Sequence, residues 1–115
     1  MPVPGLQLDE HLVGAVCVIA ADGEIDHLTA PLLADALRRA TLEGEGNVVV
    51  DLCDTSFVDS AGISTLLNGL RRLTRQRRRM LIVCPPGPVY SVFEMLGLVG
   101  TFNLVDTRER ALAAA

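Results

Sequence analysis

Apolar and polar positions along this chain follow two alternating rhythms. Val48-Val49-Val50 and Met80-Leu81-Ile82-Val83-Cys84 are short unbroken apolar runs closed by turn-forming residues, the pattern of buried strands. Between them Ile63, Leu66, Leu67, Leu70 and Leu73 recur at the helical period, so strand gives way to helix near Asp59-Ser60. An earlier helix opens at Thr29-Ala30-Pro31, with a capping residue and a proline in its first turn. It carries Leu33, Leu37 and Ala40 on its core face, flanked by Leu32 and Ala36, and ends at Glu43-Gly44-Glu45-Gly46. After the hard stop Pro85-Pro86-Gly87-Pro88, the spacing of Val89, Val92, Phe93 and Leu96 predicts a further helix with Gly97 as its C-cap. Residues 102–105 read as a last edge strand and residues 107–115 as a last helix, with Asp106 and Glu109 spaced as a capping box. At the other end, residues 6–8 and 13–20 are two apolar stretches separated by Asp9, Glu10 and His11, which predicts an N-terminal hairpin with a charged turn. Asp22-Gly23-Glu24-Ile25-Asp26 then reads as a tight turn leading into a loop.

Strand and helix thus alternate from residue 47 onward, which implies parallel strands with right-handed crossovers and the α/β layer class. At 115 residues the chain is expected to be one domain, 1–115, with one core. Only 3% of residues are aromatic, so that core must be built from Leu, Val, Ile and Ala.

Charge removes several function classes. A net charge of −4 argues against nucleic acid, whose binding needs clustered cations to neutralise phosphates. The longest apolar stretch, residues 12–21, is interrupted by Gly14 and falls far short of the roughly 20 residues of a membrane span. Met1-Pro2-Val3-Pro4 lacks the positive start and apolar region of a signal peptide, so no membrane association and a cytoplasmic location are expected. Arg71, Arg72, Arg75, Arg77, Arg78 and Arg79 crowd the end of the helix that begins at Ser60; the run reads either as a patch for acidic partners or phosphates or, as such runs more often do, as a solvated complement to the negative helix end. Cys17, Cys53 and Cys84 have no C-x-x-C spacing; Cys17 is expected as a small core residue, and Cys53 and Cys84 as thiols near strand ends. With His11 and His27 as the only histidines, no metal-ligand spacing arises, and neither a metal nor a cofactor is expected.

Ser60 is the residue that carries candidate chemistry. Serine is a preferred N-cap, accepting a hydrogen bond from a free N–H of the first turn, and that role needs no function. The same helix mouth concentrates N–H donors and positive dipole, which suits a phosphate group on Ser60. Asp59 beside it would meet that phosphate with like charge.

The order of several elements resembles a known family. Gly23-Glu24-Ile25-Asp26 precedes a helix opened by Thr29-Ala30; Val48-Val49-Val50-Asp51-Leu52 follows; then come Phe57-Val58-Asp59-Ser60-Ala61-Gly62-Ile63 and Phe93-Glu94-Met95-Leu96-Gly97-Leu98. Over nearly the whole chain this resembles the STAS domain, specifically the bacterial anti-sigma factor antagonists. The resemblance implies a mixed, mostly parallel sheet of about five strands with about four helices and an N-terminal hairpin. It also implies partner switching: the unphosphorylated protein docks on an anti-sigma factor that is also a serine kinase and so frees a sigma factor, phosphorylation separates the two, and a phosphatase reverses the mark. Carried over by position, Ser60 is the phosphate acceptor, Asp59 shapes its loop, Gly62 permits close approach of a partner, and Asp26 sits beside Ser60 on the same face. Thr55, Ser56, Ala61 and Ser64 complete the expected partner surface. A monomer or weak dimer is implied. Ala61 stands where many relatives carry a second hydroxyl, which leaves Ser60 as the acceptor inside the motif.

Two other classes compete. A hydrolase would need Ser60 activated by a base such as His27, but Val58-Asp59-Ser60-Ala61-Gly62 lacks the Gly-x-Ser-x-Gly elbow, and the chain is expected not to be an enzyme. A non-switching STAS adaptor or scaffold subunit, of stressosome or lipid-transport accessory type, would leave Ser60 as a plain cap.

Overall fold

The computed structural model describes residues 5–115. Strands β1 (Leu6–Val13) and β2 (Val16–Ile25) form an antiparallel hairpin whose register runs from Leu6 opposite Gly23 to Val13 opposite Val16. The turn is Gly14-Ala15, with Gly14 at φ +61°, so Asp9, Glu10 and His11 lie within β1 and not in a charged turn. A two-residue hairpin turn demands positive φ, which glycine supplies, whereas charged residues sit comfortably on an edge strand.

β2 also continues where a tight turn was expected. Its first half pairs in parallel with β3 (Val48–Asp51), the register slips between Gly23 and Glu24, and its last residues pair in parallel with β4 (Thr55–Val58). Gly23, at φ +122°, makes that slip possible; a Cβ there would run into the carbonyl of Gly5. A glycine inside a strand marks a bulge as readily as a turn. With β5 (Met80–Val83) and β6 (Leu104–Val105), the order is β1-β2-β3-β5-β6 with β4 beside β2: six strands, all parallel beyond the hairpin. The expected α/β class and hairpin hold. β4 is the added strand.

Helices α1 (Ala30–Glu43), α2 (Ser60–Arg75) and α3 (Pro88–Met95) cover one face of the sheet. Leu33, Leu37, Leu66, Leu73 and Phe93 close over Ile19, Val48, Val50 and Ile82 in one cluster. The alternate residues Val18, Val49, Leu81 and Val83 point to the other face, where Ala111 of α4 (Arg108–Ala114) covers them. Asn103 adopts φ +49° and so cuts the last strand to two residues; Phe102 turns inward and meets Phe93 edge to face at 5.4 Å. α4 is capped by Thr107, whose hydroxyl accepts from the Arg110 N–H at 3.2 Å, while Asp106 pairs with the Arg110 side chain instead of forming the expected capping box.

The arginine run divides. Arg78 is only 8% exposed, and its guanidinium donates to the carbonyls of Ala40, Thr41 and Gly46 and to Gln76 Oε1 at 2.7–3.0 Å. It therefore closes the C-terminal end of α1, which has no cation of its own. Arg79 bonds the carbonyl of Ala114 at the end of α4. Cys17 packs against the core as expected. Partial desolvation, with help from Asp51, raises the thiol of the largely exposed Cys53, and burial alone pushes Cys84 to about 11, so both stay protonated.

Two predictions concern these polar anchors. Orphaned buried carbonyls cost about 1–3 kcal/mol each before they relax toward water, so Arg78→Met should lower the urea unfolding free energy by about 2–4 kcal/mol; a loss below about 0.5 kcal/mol would rule out the clamp. Asp51 pairs with Arg108 at 2.8 Å. Burial disfavours its ionised form, yet the N–H and thiol of Cys53 and the Arg108 guanidinium together outweigh burial and hold the carboxyl below the ordinary range. Its stabilisation is thus whole above the unfolded pKa of about 3.9 and drains away as pH falls through the lower folded value. Asp51→Asn should cost about 1–3 kcal/mol at pH 7 and approach wild type in strong acid; a deficit independent of pH would refute this assignment.

Candidate functional site

β2 and β4 end side by side, and the site is built on those ends. Ile25 lies opposite Val58, and the Asp59 N–H donates to the Ile25 carbonyl at 3.0 Å. The chain then turns into α2 with Asp59, not Ser60, as its cap: one carboxylate oxygen accepts from the N–H groups of Ala61 at 2.8 Å and Gly62 at 3.1 Å. The expectation that Ser60 serves as the N-cap is overturned. Aspartate takes the position because its carboxylate both bonds the first-turn donors and opposes the helix dipole.

Ser60 therefore begins the helix proper with its side chain exposed and its hydroxyl unbonded among the described residues. Gly62 is buried. A Cβ there would approach Ile25 Cγ2 to 2.8 Å and Val58 Cγ1 to 3.0 Å, so its lack of a side chain lets α2 settle on the strand ends. The close approach expected of a partner at Gly62 is made within the chain.

Asp26 leaves the end of β2 next to Asp59. Its carboxylate accepts from the N–H groups of Leu28 at 2.9 Å and Thr29 at 3.0 Å, while Thr29 Oγ1 bonds back to the Glu24 carbonyl. The Thr29 N–H foremost holds the Asp26 carboxyl below its ordinary value, so it stays ionised at neutral pH. Thr55 is not on the surface: it is buried and its hydroxyl donates to the Ala21 carbonyl at 2.8 Å. Ser56 is exposed, with its hydroxyl 3.3 Å from the Gly23 carbonyl; Ser64 is exposed one helical turn beyond Ser60; Ala61 is half-buried against the core. His27 is exposed and forms no bond to Ser60 among the described residues. No group of three or more metal-ligating side chains occurs among them, and none of their helices is long and apolar enough to cross a membrane.

A model of the STAS domain matches residues 8–111. The chain belongs to the STAS domain family. An anti-sigma F factor antagonist of Paenibacillus polymyxa is 28% identical over 112 residues, covering 93% of this chain and 92% of that protein. The crystal structure of an anti-sigma factor antagonist from Mycobacterium paratuberculosis is similar at a TM-score of 0.87 and 26% identity, over 99% of this chain and 97% of that one. The anti-sigma factor antagonist SpoIIAA, solved in its unphosphorylated form, is similar at a TM-score of 0.79 and 26% identity, over 92% and 93%.

Sequence reasoning missed several large apolar side chains that this STAS domain leaves exposed. Leu28 follows Asp26 in the same loop and is 76% exposed, Phe57 on β4 is 48% exposed, and Met95 and Leu96 at the end of α3 are 85% and 55% exposed. Leu96 fits the apolar helical spacing and was expected inward; it is instead the exposed C-cap of α3, and beyond the positive φ of Gly97 it is Leu98 that packs against the core.

Capping roles separate by mutation. Asp59→Ala should lower unfolding free energy by about 1–2 kcal/mol, whereas Ser60→Ala should change it by less than about 0.5 kcal/mol. Urea melts of the two variants decide; an inverted order would return the cap to Ser60.

Proposed function

We propose that this protein is an anti-sigma factor antagonist that docks, through the surface around Ser60, on an anti-sigma factor that is also a serine kinase, and that phosphorylation of Ser60 ends the complex. The observation that carries the reading is the free, exposed Ser60 hydroxyl at a helix start already capped by Asp59. A structural serine at a helix start would be bonded to the first turn; this one is left available to another molecule. Relatives named anti-sigma factor antagonists, one of them characterised in an unphosphorylated form, support the partner class.

The switch has a simple physical basis. Phosphate adds about −1.5 to −2 charges at neutral pH, on a surface that already carries Asp26 and Asp59. Arg108 and Arg110 belong to α4, on the far face of the sheet, and Arg38 and Arg39 are paired with Asp35 and Glu10. A partner shaped to meet a hydroxyl would face uncompensated anionic charge. Each 1.4 kcal/mol or so is tenfold in affinity, so a modest desolvation and repulsion cost suffices to dissolve the complex. Asp26, Ser56, Asp59, Ala61 and Ser64 form the polar part of the docking surface, Leu28, Phe57, Met95 and Leu96 its apolar part, and Thr55 and Gly62 support it from within. A phosphatase completes the cycle.

Intact-mass analysis with site mapping, after incubation with ATP and anti-sigma kinases from the same genome, tests the reading. One phosphate on Ser60, absent from Ser60→Ala, is expected. Ser60→Ala should bind the kinase constitutively, while Ser60→Asp and Ser60→Glu should lose at least about tenfold in affinity. Equal affinity of all three variants would sink the switch; no phosphate from any active kinase would favour a non-switching STAS adaptor or scaffold.

A further inference from the structure

The cations of this chain are all arginines, and the fold engages six of the ten. Arg38, Arg39, Arg108 and Arg110 are each ion-paired, Arg78 clamps α1, and Arg79 bonds the end of α4. Arg71, Arg72, Arg75 and Arg77 are exposed and have no ion-pair or side-chain hydrogen-bond partner among the described residues. They do not close α2 either: the carbonyls of Leu73 and Thr74 are taken by the backbone N–H groups of Gln76, Arg77 and Arg78. Four like charges at one helix end of a protein with net charge −4 repel each other, and the helix dipole is their only compensation among the described residues.

Their placement relates them to Ser60. At about 100° per residue, Ser60, Ser64, Asn68, Arg71 and Arg75 fall within roughly 80° of arc, with Arg72 roughly 40° beyond it; all six are exposed. One solvent-facing strip of α2 thus begins at Ser60 and reaches Arg71 and Arg75 about 16–23 Å further along the axis. Resting on the reading that the Ser60 end docks on an anti-sigma kinase, we propose that the partner's footprint runs the length of α2 and sets an acidic surface of that protein against Arg71, Arg72 and Arg75.

Charge and continuity favour a protein partner over other anions. The strip joins a guanidinium cluster to a pole bearing Asp26 and Asp59, which would repel a uniformly anionic nucleic acid or membrane but matches a protein surface with both signs. No aromatic side chain lies on the strip for stacking on bases, and the apolar residues at its edges, Leu67 and Ala61, are half-buried. Opposite charges at the two ends of one strip also fix the direction in which a partner can lie along it. The arginine end governs encounter rate, and the tightly fitted Ser60 end governs release.

Stopped-flow association with the kinase that phosphorylates Ser60 provides the test. Arg71→Glu/Arg75→Glu should slow association about tenfold at low salt, with the difference shrinking as the Debye length falls from about 10 Å at 0.1 M toward 3 Å at 1 M. Arg71→Gln/Arg75→Gln should give an intermediate rate at an unchanged melting temperature, separating lost attraction from a weakened helix. Arg110→Glu makes the same charge change per residue on the opposite face and should leave the rate near wild type. A glutamate-rich 20-residue peptide, a DNA duplex and phosphatidylserine vesicles serve as direct probes: peptide binding that Arg71→Glu/Arg75→Glu abolishes is expected. Unchanged association of the double variant, or tighter binding of the duplex or the vesicles than of the peptide, would overturn the inference. If no kinase marks Ser60, the proposed switch fails by itself, and the peptide still decides: binding lost in the double variant supports the acidic-partner surface, and no binding overturns it.

Discussion

Two N–H groups at the start of α2 face one oxygen of Asp59, and the arrangement around Ser60 follows from those two bonds. The same residue ties its own N–H to Ile25 at the end of β2, so the cap fastens the helix mouth to the sheet as well as closing the helix. Gly62 makes this geometry attainable, because any larger residue would hold the first turn away from Ile25 and Val58. Helix start, strand ends and the Asp26 loop are thereby brought into one rigid corner, with the serine hydroxyl outermost. A hydroxyl that served as the cap would be tied to the first turn; replacing it in that duty by its neighbour is what leaves it exposed.

The fold holds two of its other helices, α1 and α4, by a related means, with charged side chains sent from distant segments to their ends. Arg78 closes α1 across 38 residues of sequence, and Arg79 closes α4 across 35. Arg108 pins the start of α4 to Asp51 at the end of β3. Such contacts suit a small domain with few aromatics, in which apolar burial alone leaves a narrow margin. They also sort the charges: Arg78, Arg79 and Arg108 are engaged by the fold, and the arginines left over on α2 stand out against an otherwise partnered set.

Much of this was legible in the chain and some was not, for physical reasons that differ by residue. The valine run at β3, the apolar run at β5 and the helical spacing of Ile63 to Leu73 signal their elements because burial fixes period and length together. β4 escaped because four residues carrying Thr55, Ser56 and Phe57 look like the tail of a loop, and only its parallel pairing with the bulged end of β2 makes them a strand. Glycine misled twice, since Gly23 signals a bulge and Gly62 a helix–strand contact, and neither distinction can be read from one chain position. Placing the cap on Ser60 failed because Asp59 and Ser60 are both good caps, and only the backbone geometry chooses between them. The exposure of Leu28, Phe57, Met95 and Leu96 was invisible for a related reason: apolar identity predicts burial, and these four break that expectation.

The cap also constrains how a phosphate at this position can act. A phosphate drawn into the helix mouth would gain about 0.3–1 kcal/mol from the dipole, or up to about 2 kcal/mol in a partly buried geometry. To reach the first-turn donors it must displace Asp59, forfeiting about 0.5–2 kcal/mol of capping. These terms nearly cancel, and the displaced carboxylate would still stand beside a doubly charged neighbour. Nothing in that balance drives the first turn to rearrange, and the packing of Gly62 on Ile25 and Val58 resists it. The charge of the proposed phosphate would therefore remain at the surface where it is placed. Its effect would fall on whatever approaches that surface, with the corner around Asp59 serving as a platform that keeps its shape.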